Sequence, residues 1–91
     1  MIFNVKLSKK ALKRFEKLDH KTRRRIRLKL KEFASDPFSI HDVKKLVGSK
    51  ELPLYRLRVG EYRIVFWIDW KENTIFVERI IHRSEGYIFF E

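Results

Sequence analysis

The chain contains no cysteine, which excludes disulfides, thiolate metal centres and thiol nucleophiles. Glycine occurs three times and proline twice, too few for long irregular loops, and no glycine-rich phosphate loop is present. No apolar run approaches the roughly 20 residues of a membrane-spanning helix. The opening Met1-Ile2-Phe3-Asn4-Val5-Lys6 also lacks the apolar run of a signal peptide. A cytoplasmic protein is therefore expected. The three histidines, His20, His41 and His82, are scattered, with no HxH, HxxxH or HExxH spacing. Neither a metal site nor a cofactor is expected. Acidic residues are in deficit: 12 Asp and Glu stand against 22 Lys and Arg, giving a formal net charge of +10. Such a balance points to a polyanionic partner.

What is present argues for a folded body. Hydrophobic residues make up 44% of the 91, and eight Phe, two Trp and three Tyr can fill a core despite 37% charged residues. Residues 1–91 read as a single domain. A chain of this length buries only about 60–65% of its unfolded surface, so its stability is modest.

Ile2 to Lys6 reads as a short strand. Ser8 suits a helix N-cap. Ala11, Leu12, Phe15 and Leu18 then recur at helical spacing. Asp19-His20 interrupts, and a second helix runs from about 22 to 34, with Ile26, Leu30 and Phe33 on one stripe. Pro37 ends it. Residues 37–53 are the least regular, with a brief strand or turn at 43–47. Three longer strands follow at about 54–59, 62–70 and 74–83, the last two joined by Lys71-Glu72-Asn73. The fold class is α+β: an N-terminal strand and a two-helix hairpin packed on an antiparallel sheet.

The hairpin Tyr55-Arg56-Leu57-Arg58-Val59, Gly60-Glu61, Tyr62-Arg63-Ile64-Val65 carries the chemistry. Gly60 can take the positive φ of a type II′ turn. Counting out from that turn sets Val59 against Tyr62 and Arg58 against Arg63, with Arg56 on the same face. Like charges directly opposed on a sheet are destabilising. Lone exposed arginines are ordinarily just solvated, but three kept on one small surface fit an anion, and the guanidinium fork matches phosphate. With residues 71–73 all in the loop, Arg63 lies opposite Ile81 and Arg83 joins the arginine face; a slip of one residue would reverse this. Tyr55, Leu57, Val59, Tyr62, Ile64, Phe66 and Ile68 form the opposite face, toward the helices, which puts His82 on the core side. Glu78 breaks that apolar pattern, so the last strand is expected to be an edge there. Trp67 shares the face of Arg63, where it packs, stacks on a base or meets a partner. Glu85 reads as a cap or surface residue, with a base as the sharper alternative.

RNA suits such a surface, because its own 2′-OH can attack the adjacent phosphorus without a metal-bound water. The protein must align the backbone, stabilise the phosphoryl oxygens and assist the leaving oxygen. The hairpin, Ile81-His82-Arg83-Ser84-Glu85-Gly86-Tyr87, Leu12-Lys13-Arg14-Phe15-Glu16-Lys17-Leu18 and Lys45-Leu46 together resemble the RelE/ParE superfamily of toxin–antitoxin toxins, across nearly the whole chain. The RelE branch is the nearest likeness. That resemblance implies a ribosome-dependent endoribonuclease that cuts mRNA in the A site without metal. It puts Arg63 at a phosphate-stabilising Arg, Arg83 at an Arg assigned to the leaving group or phosphate, and Tyr87 at the family's C-terminal Tyr. Arg56 and Arg58 fall where the best-known member has lysines. Arginine titrates above about 12, so these two would lower the pKa of the 2′-OH by charge and not take its proton. Another branch uses a Glu/His pair; Lys44 stands near where that Glu would fall.

The basic run Lys21, Arg23, Arg24, Arg25, Arg27, Lys29 and Lys31 covers the polar side of the second helix, ordinarily just a solvated face. Lys44, Lys45, Arg23, Arg24, Arg27 and Lys31 are candidate contacts to the RNA backbone, adding salt-dependent affinity without reading sequence. The implied partners are the ribosome with its mRNA and an acidic RelB-like antitoxin, giving a hetero-oligomer. The apolar tail Ile88-Phe89-Phe90-Glu91 is expected to pack on the body or under an antitoxin element. Two alternatives remain: a ParE-like inhibitor of DNA gyrase without nuclease activity, and a plain RNA-binding module, which lacks the usual RNP aromatics.

Overall fold

The computed structural model describes residues 2–37, 42–46 and 53–85. Tyr87 and the 88–91 tail lie outside the described residues, as does His41. Strand β1 spans Asn4–Leu7, helix α1 Lys9–Lys17 and helix α2 His20–Ser35. Strands β2 (Val43–Lys45), β3 (Tyr55–Val59), β4 (Tyr62–Asp69) and β5 (Thr74–His82) follow. One five-stranded sheet results, in the order β1-β5-β4-β3-β2. Every pairing is antiparallel except β1 with β5.

Local chemistry sets the helix starts. The Ser8 side chain accepts from the Ala11 amide at 3.1 Å, and Asp19 accepts from the Thr22 amide at 3.2 Å. The Asp19-His20 break is thus the N-cap of α2, which begins two residues before the periodic pattern does. Both helices cover one face of the sheet. Ile26, Leu30 and Phe33 of α2 meet Leu57, Ile64, Phe66, Ile75, Val77 and Ile80 in one buried cluster. Tyr55, Tyr62 and Ile68 pack at its margin, so the apolar alternation of β3 and β4 is the core-facing set.

Two departures on β5 offset each other. The β4–β5 connection is one residue longer than the spacing implied, since Asp69 pairs with Thr74 and Trp70–Asn73 forms the turn. Asn73 closes it at φ 48°, a left-handed conformation that Asn tolerates better than most residues. The ladder is then irregular between Val65 and Phe66: Val65 pairs with Arg79 but Phe66 with Val77, so Glu78 is the extra residue of a bulge. The bulge restores the register, and Arg63 does lie opposite Ile81.

The bulge also corrects the reading of Glu78. Val77, and not Glu78, takes the core position beside Phe66. The Glu78 carboxylate instead accepts from Trp67 Nε1 at 2.8 Å, while its carbonyl accepts from Ser8 Oγ at 2.7 Å. Nor is β5 an edge. Strand β1 pairs along it from Asn4↔Thr74 to Leu7↔Val77 and takes the edge itself. A chain segment far away in sequence supplies that cover, which no local pattern on β5 announces.

Candidate functional site

The sheet face away from the helices gathers cations. Register places Lys44, Arg56, Val65 and Arg79 in one row across β2, β3, β4 and β5, and Arg58, Arg63 and Ile81 in the next. Val65 and Ile81 are buried, with 0% and 4% exposure, so guanidinium groups flank an apolar floor, where charge interactions are less screened than in open water. Arg79 was not singled out in the sequence, although the register that aligns Arg63 with Ile81 also carries it to this face.

A carboxylate of the chain's own sits among these cations. Asp42 pairs with Arg56 at 3.0 Å and with Arg58 at 3.7 Å. Its backbone carbonyl accepts from the Arg58 amide at 2.9 Å and from Arg56 Nη1 at 3.2 Å. The Arg56 hydrogen bond, and then the charges of Arg56, Arg58 and Arg63, hold the Asp42 carboxyl below its ordinary value. Two arginines therefore grip one anion, with Arg63 contributing only at longer range. Asp42 lies in the segment with the weakest secondary-structure signal, so nothing local marked it.

Arg63 is anchored differently. Its Nη1 donates to the carbonyls of Gly60 at 3.0 Å and Tyr62 at 2.9 Å. That fixes one edge of the guanidinium against the turn, leaving Nε and Nη2 as a fork with no partner among the described residues. Gly60, with φ 59°, and Glu61 form that turn between the paired Val59 and Tyr62. Positive φ at the first turn position alone matches type II′.

Residues 82–85 fold back on the same end of the sheet. The Arg83 amide donates to the Glu61 carbonyl at 2.7 Å, and the Arg83 guanidinium lies 3.9 Å from the Glu61 carboxylate, largely exposed. His82 faces Tyr62 on the helix side, with ring centroids 5.3 Å apart at 86°. Its Nδ1 lies 2.8 Å from Ser84 Oγ and its Nε2 3.4 Å from Glu61 Oε2. Glu85 makes a two-pronged bond to Arg14 of α1, at 2.6 and 3.1 Å, and accepts from the His82 amide at 2.7 Å. The Arg14 hydrogen bond, followed by that amide, lowers the Glu85 carboxyl pKa. Glu85 is thus a clamp on the segment that leads to Tyr87, two positions further along the chain.

The clamp carries a pH signature. A carboxyl whose pKa is depressed by folding contributes above its unfolded value, about 4.3 for Glu, and loses that contribution as pH falls through the lower folded value. Amide hydrogen exchange over residues 82–85 is expected to quicken, relative to the core strands, only below about pH 4. In Glu85→Gln it should already be fast at neutral pH. Equal protection of this turn in both proteins at pH 7 would refute the clamp.

The remaining candidates do not share one surface. Lys44 lies on the arginine face, whereas its neighbour Lys45 pairs with Tyr55 and takes the other face. Arg27 and Lys31 of α2 line an apolar groove of about 420 Å³ with Ile2, Leu12, Phe15 and Leu30, and the Arg27 guanidinium lies 5.6 Å from the Phe15 ring centroid. Arg24 is exposed, and Arg23 is half-buried with Nε lacking a partner among the described residues. Among the described residues no three His, Asp or Glu side chains converge as a metal site.

The sequence model of the ParE toxin of type II toxin–antitoxin systems (parDE) matches residues 5–87. A Methanocaldococcus jannaschii protein named as a RelE1 toxin is 28% identical over 89 residues, covering 96% of this chain and 97% of the relative. The archaeal RelE–RelB complex from Pyrococcus horikoshii contains a chain 30% identical, superposing with a TM-score of 0.77 over 94% of this chain and 100% of that one. The RelB–RelE complex from Methanococcus jannaschii gives 29% identity and a TM-score of 0.71, over 93% and 98% of the two chains.

Proposed function

The chain belongs to the ParE toxin family of type II toxin–antitoxin systems, within the RelE/ParE superfamily, and from its likeness to RelE toxins we propose that it is a ribosome-dependent endoribonuclease that cuts mRNA in the A site. The observation that carries this reading is the grip of Arg56 and Arg58 on a single anion, Asp42, with Arg63 paired directly opposite Arg58 on the same face. An RNA phosphate entering there would displace the Asp42 carboxylate from Arg58 and meet the free Nε–Nη2 edge of Arg63, a fork suited to two phosphoryl oxygens.

The nucleophile is the RNA's own 2′-OH, and water carries the protons that arginines cannot. The 2′-oxygen attacks phosphorus; the new P–O2′ bond forms as the P–O5′ bond breaks. The products are a 2′,3′-cyclic phosphate and a 5′-hydroxyl. Arg56 and Arg58 favour the 2′-alkoxide by charge, and its proton goes directly to water, since arginine does not serve as a base at neutral pH. Arg63 stabilises the charge that builds on the phosphoryl oxygens. Arg83, exposed beside the Gly60-Glu61 turn, offsets the charge on the departing 5′-oxygen, which takes its proton from water, and Tyr87 orients the substrate. Lys44, Lys45, Arg23, Arg24, Arg27 and Lys31 add backbone contacts to ribosomal RNA.

The partner under this reading is an acidic RelB-like antitoxin, as in the Pyrococcus and Methanococcus complexes. The apolar groove along β1, α1 and α2, where Ile2 is 79% exposed, would take an apolar segment of it, with Arg27 and Lys31 at the rim for its acidic residues.

Primer extension on mRNA held in programmed ribosomes tests the activity. Cleavage within the A-site codon, leaving a 2′,3′-cyclic phosphate, is the expected result. A folded protein that leaves the message intact would sink the reading, and inhibition of gyrase supercoiling would then point to the binding alternative.

A further inference from the structure

Helix α2 separates two grooves. Its Arg27–Lys31 side borders the apolar one, while Arg25 and Lys29, one turn apart, face the β3–β4 turn. There they line a cavity of about 490 Å³ with Leu28, Arg58, Val59 and Gly60. Glu32 and Asp42 also border it, and each acid is engaged: Glu32 lies 3.6 Å from Lys29, and Asp42 pairs with Arg56 and Arg58. Arg25 makes no ion pair among the described residues. Its guanidinium packs directly against Gly60, where an added Cβ would stand only 2.8 Å from Nη1. The missing side chain at Gly60 therefore does two things: it permits the positive φ of the turn, and it lets an α2 cation reach the arginine hairpin.

We propose that this groove is a second RNA-backbone subsite, in which Arg25 and Lys29 hold a phosphate neighbouring the one gripped by Arg58 and Arg63. Arg58 lines the groove and also belongs to the arginine face, so the two sites are continuous. Cations lining the groove outnumber acids by three to two, and displacement of Asp42 from Arg58 would raise the local positive charge further. Leu28 and Val59 give an apolar wall for the sugar or base, and the volume suits about one nucleotide. The groove thus sets the strand's path off the sheet, along α2, and fixes the register of the scissile bond. It rests on the nuclease reading but makes its own demand on two residues outside the arginine face.

The test uses a 2′-O-methyl RNA hexanucleotide, which cannot be cleaved, with the whole chain, an Arg25→Ala/Lys29→Ala variant, and a Lys9→Ala/Lys10→Ala control. The control removes the same charge from exposed positions on α1. Loss of that one phosphate contact on single-stranded RNA should lower the slope of log K against log salt by about 0.7. Affinity should fall about tenfold, and A-site cleavage should slow, while the control moves little. Circular dichroism melts of all three proteins check that folding is unaltered. A groove variant indistinguishable from the control in binding and in cleavage overturns the subsite and leaves the nuclease reading standing if wild type still cuts. A wild type that neither binds the oligonucleotide nor cuts mRNA overturns both.

Discussion

Arg63→Ala lowers single-turnover cleavage of ribosome-bound mRNA by about 10²–10³, the usual loss when one preorganised donor to a developing oxyanion is removed. The side chain reaches that role through its anchoring. Two carbonyls, Gly60 and Tyr62, hold Nη1, so the free edge of the fork is positioned before substrate arrives. Truncation should cost little stability, since a half-buried guanidinium facing Arg58 across the ladder relieves like-charge repulsion when removed. Arg63→Lys separates charge from geometry. An ammonium keeps the charge but cannot bond two carbonyls and two phosphoryl oxygens at once, so it should recover only a minor part of the loss. Full activity in Arg63→Lys would mean that charge alone suffices. Full activity in Arg63→Ala would remove this residue from the mechanism.

The arginine hairpin was legible because its signals are local. Alternation fixes which side chains share a face, and Gly60-Glu61 fixes the register of β3 on β4, so Arg58 against Arg63 followed from the chain alone. The partner of Arg63 on β5 was reached by a count that missed two features of opposite effect, the fourth turn residue and the bulge at Glu78. Neither has a strong local signature, since Asn73 supplies its left-handed φ without being glycine. Residues that organise the site from afar stayed hidden. Asp42 comes from β2's approach, and Arg14 reaches Glu85 across 71 positions; both are surface charges, exposed and half-buried respectively, of a kind that is usually only solvated. Parallel pairing of β1 with β5 was hidden for the same reason, because long-range pairing leaves no periodic trace in either strand. The basic run on α2 is divided by the fold. It reads as one polar face, yet the helix turns Arg27 and Lys31 toward an apolar groove and Arg25 and Lys29 toward the hairpin.

Phe66→Ala should cost about 3–5 kcal/mol of folding stability, among the largest effects available in this chain. Phe66 is 1% exposed and lies against Phe33, with centroids 5.0 Å apart at 63°, and against Tyr55 at 5.8 Å. It joins α2 to β4 and β4 to β3, so its loss opens a cavity where three elements meet. A domain of this size has a total stability of about 5–14 kcal/mol, and the variant would retain only a small part of it at the lower end. Urea unfolding of wild type, Phe66→Ala and Phe66→Leu measures the effect. Leucine keeps most of the apolar volume and should lose well under half as much. A truncation cost below about 1.5 kcal/mol would mean that the site collapses around the gap and that Phe66 is not central to the core. The functional consequence follows from position. Phe66 borders the bulge that returns β5 to register, and that register sets Arg79 beside Val65 and Ile81 beside Arg63. Partial loosening there should erode cleavage before global unfolding is complete. Activity in Phe66→Leu should therefore fall more steeply with temperature than its folded fraction.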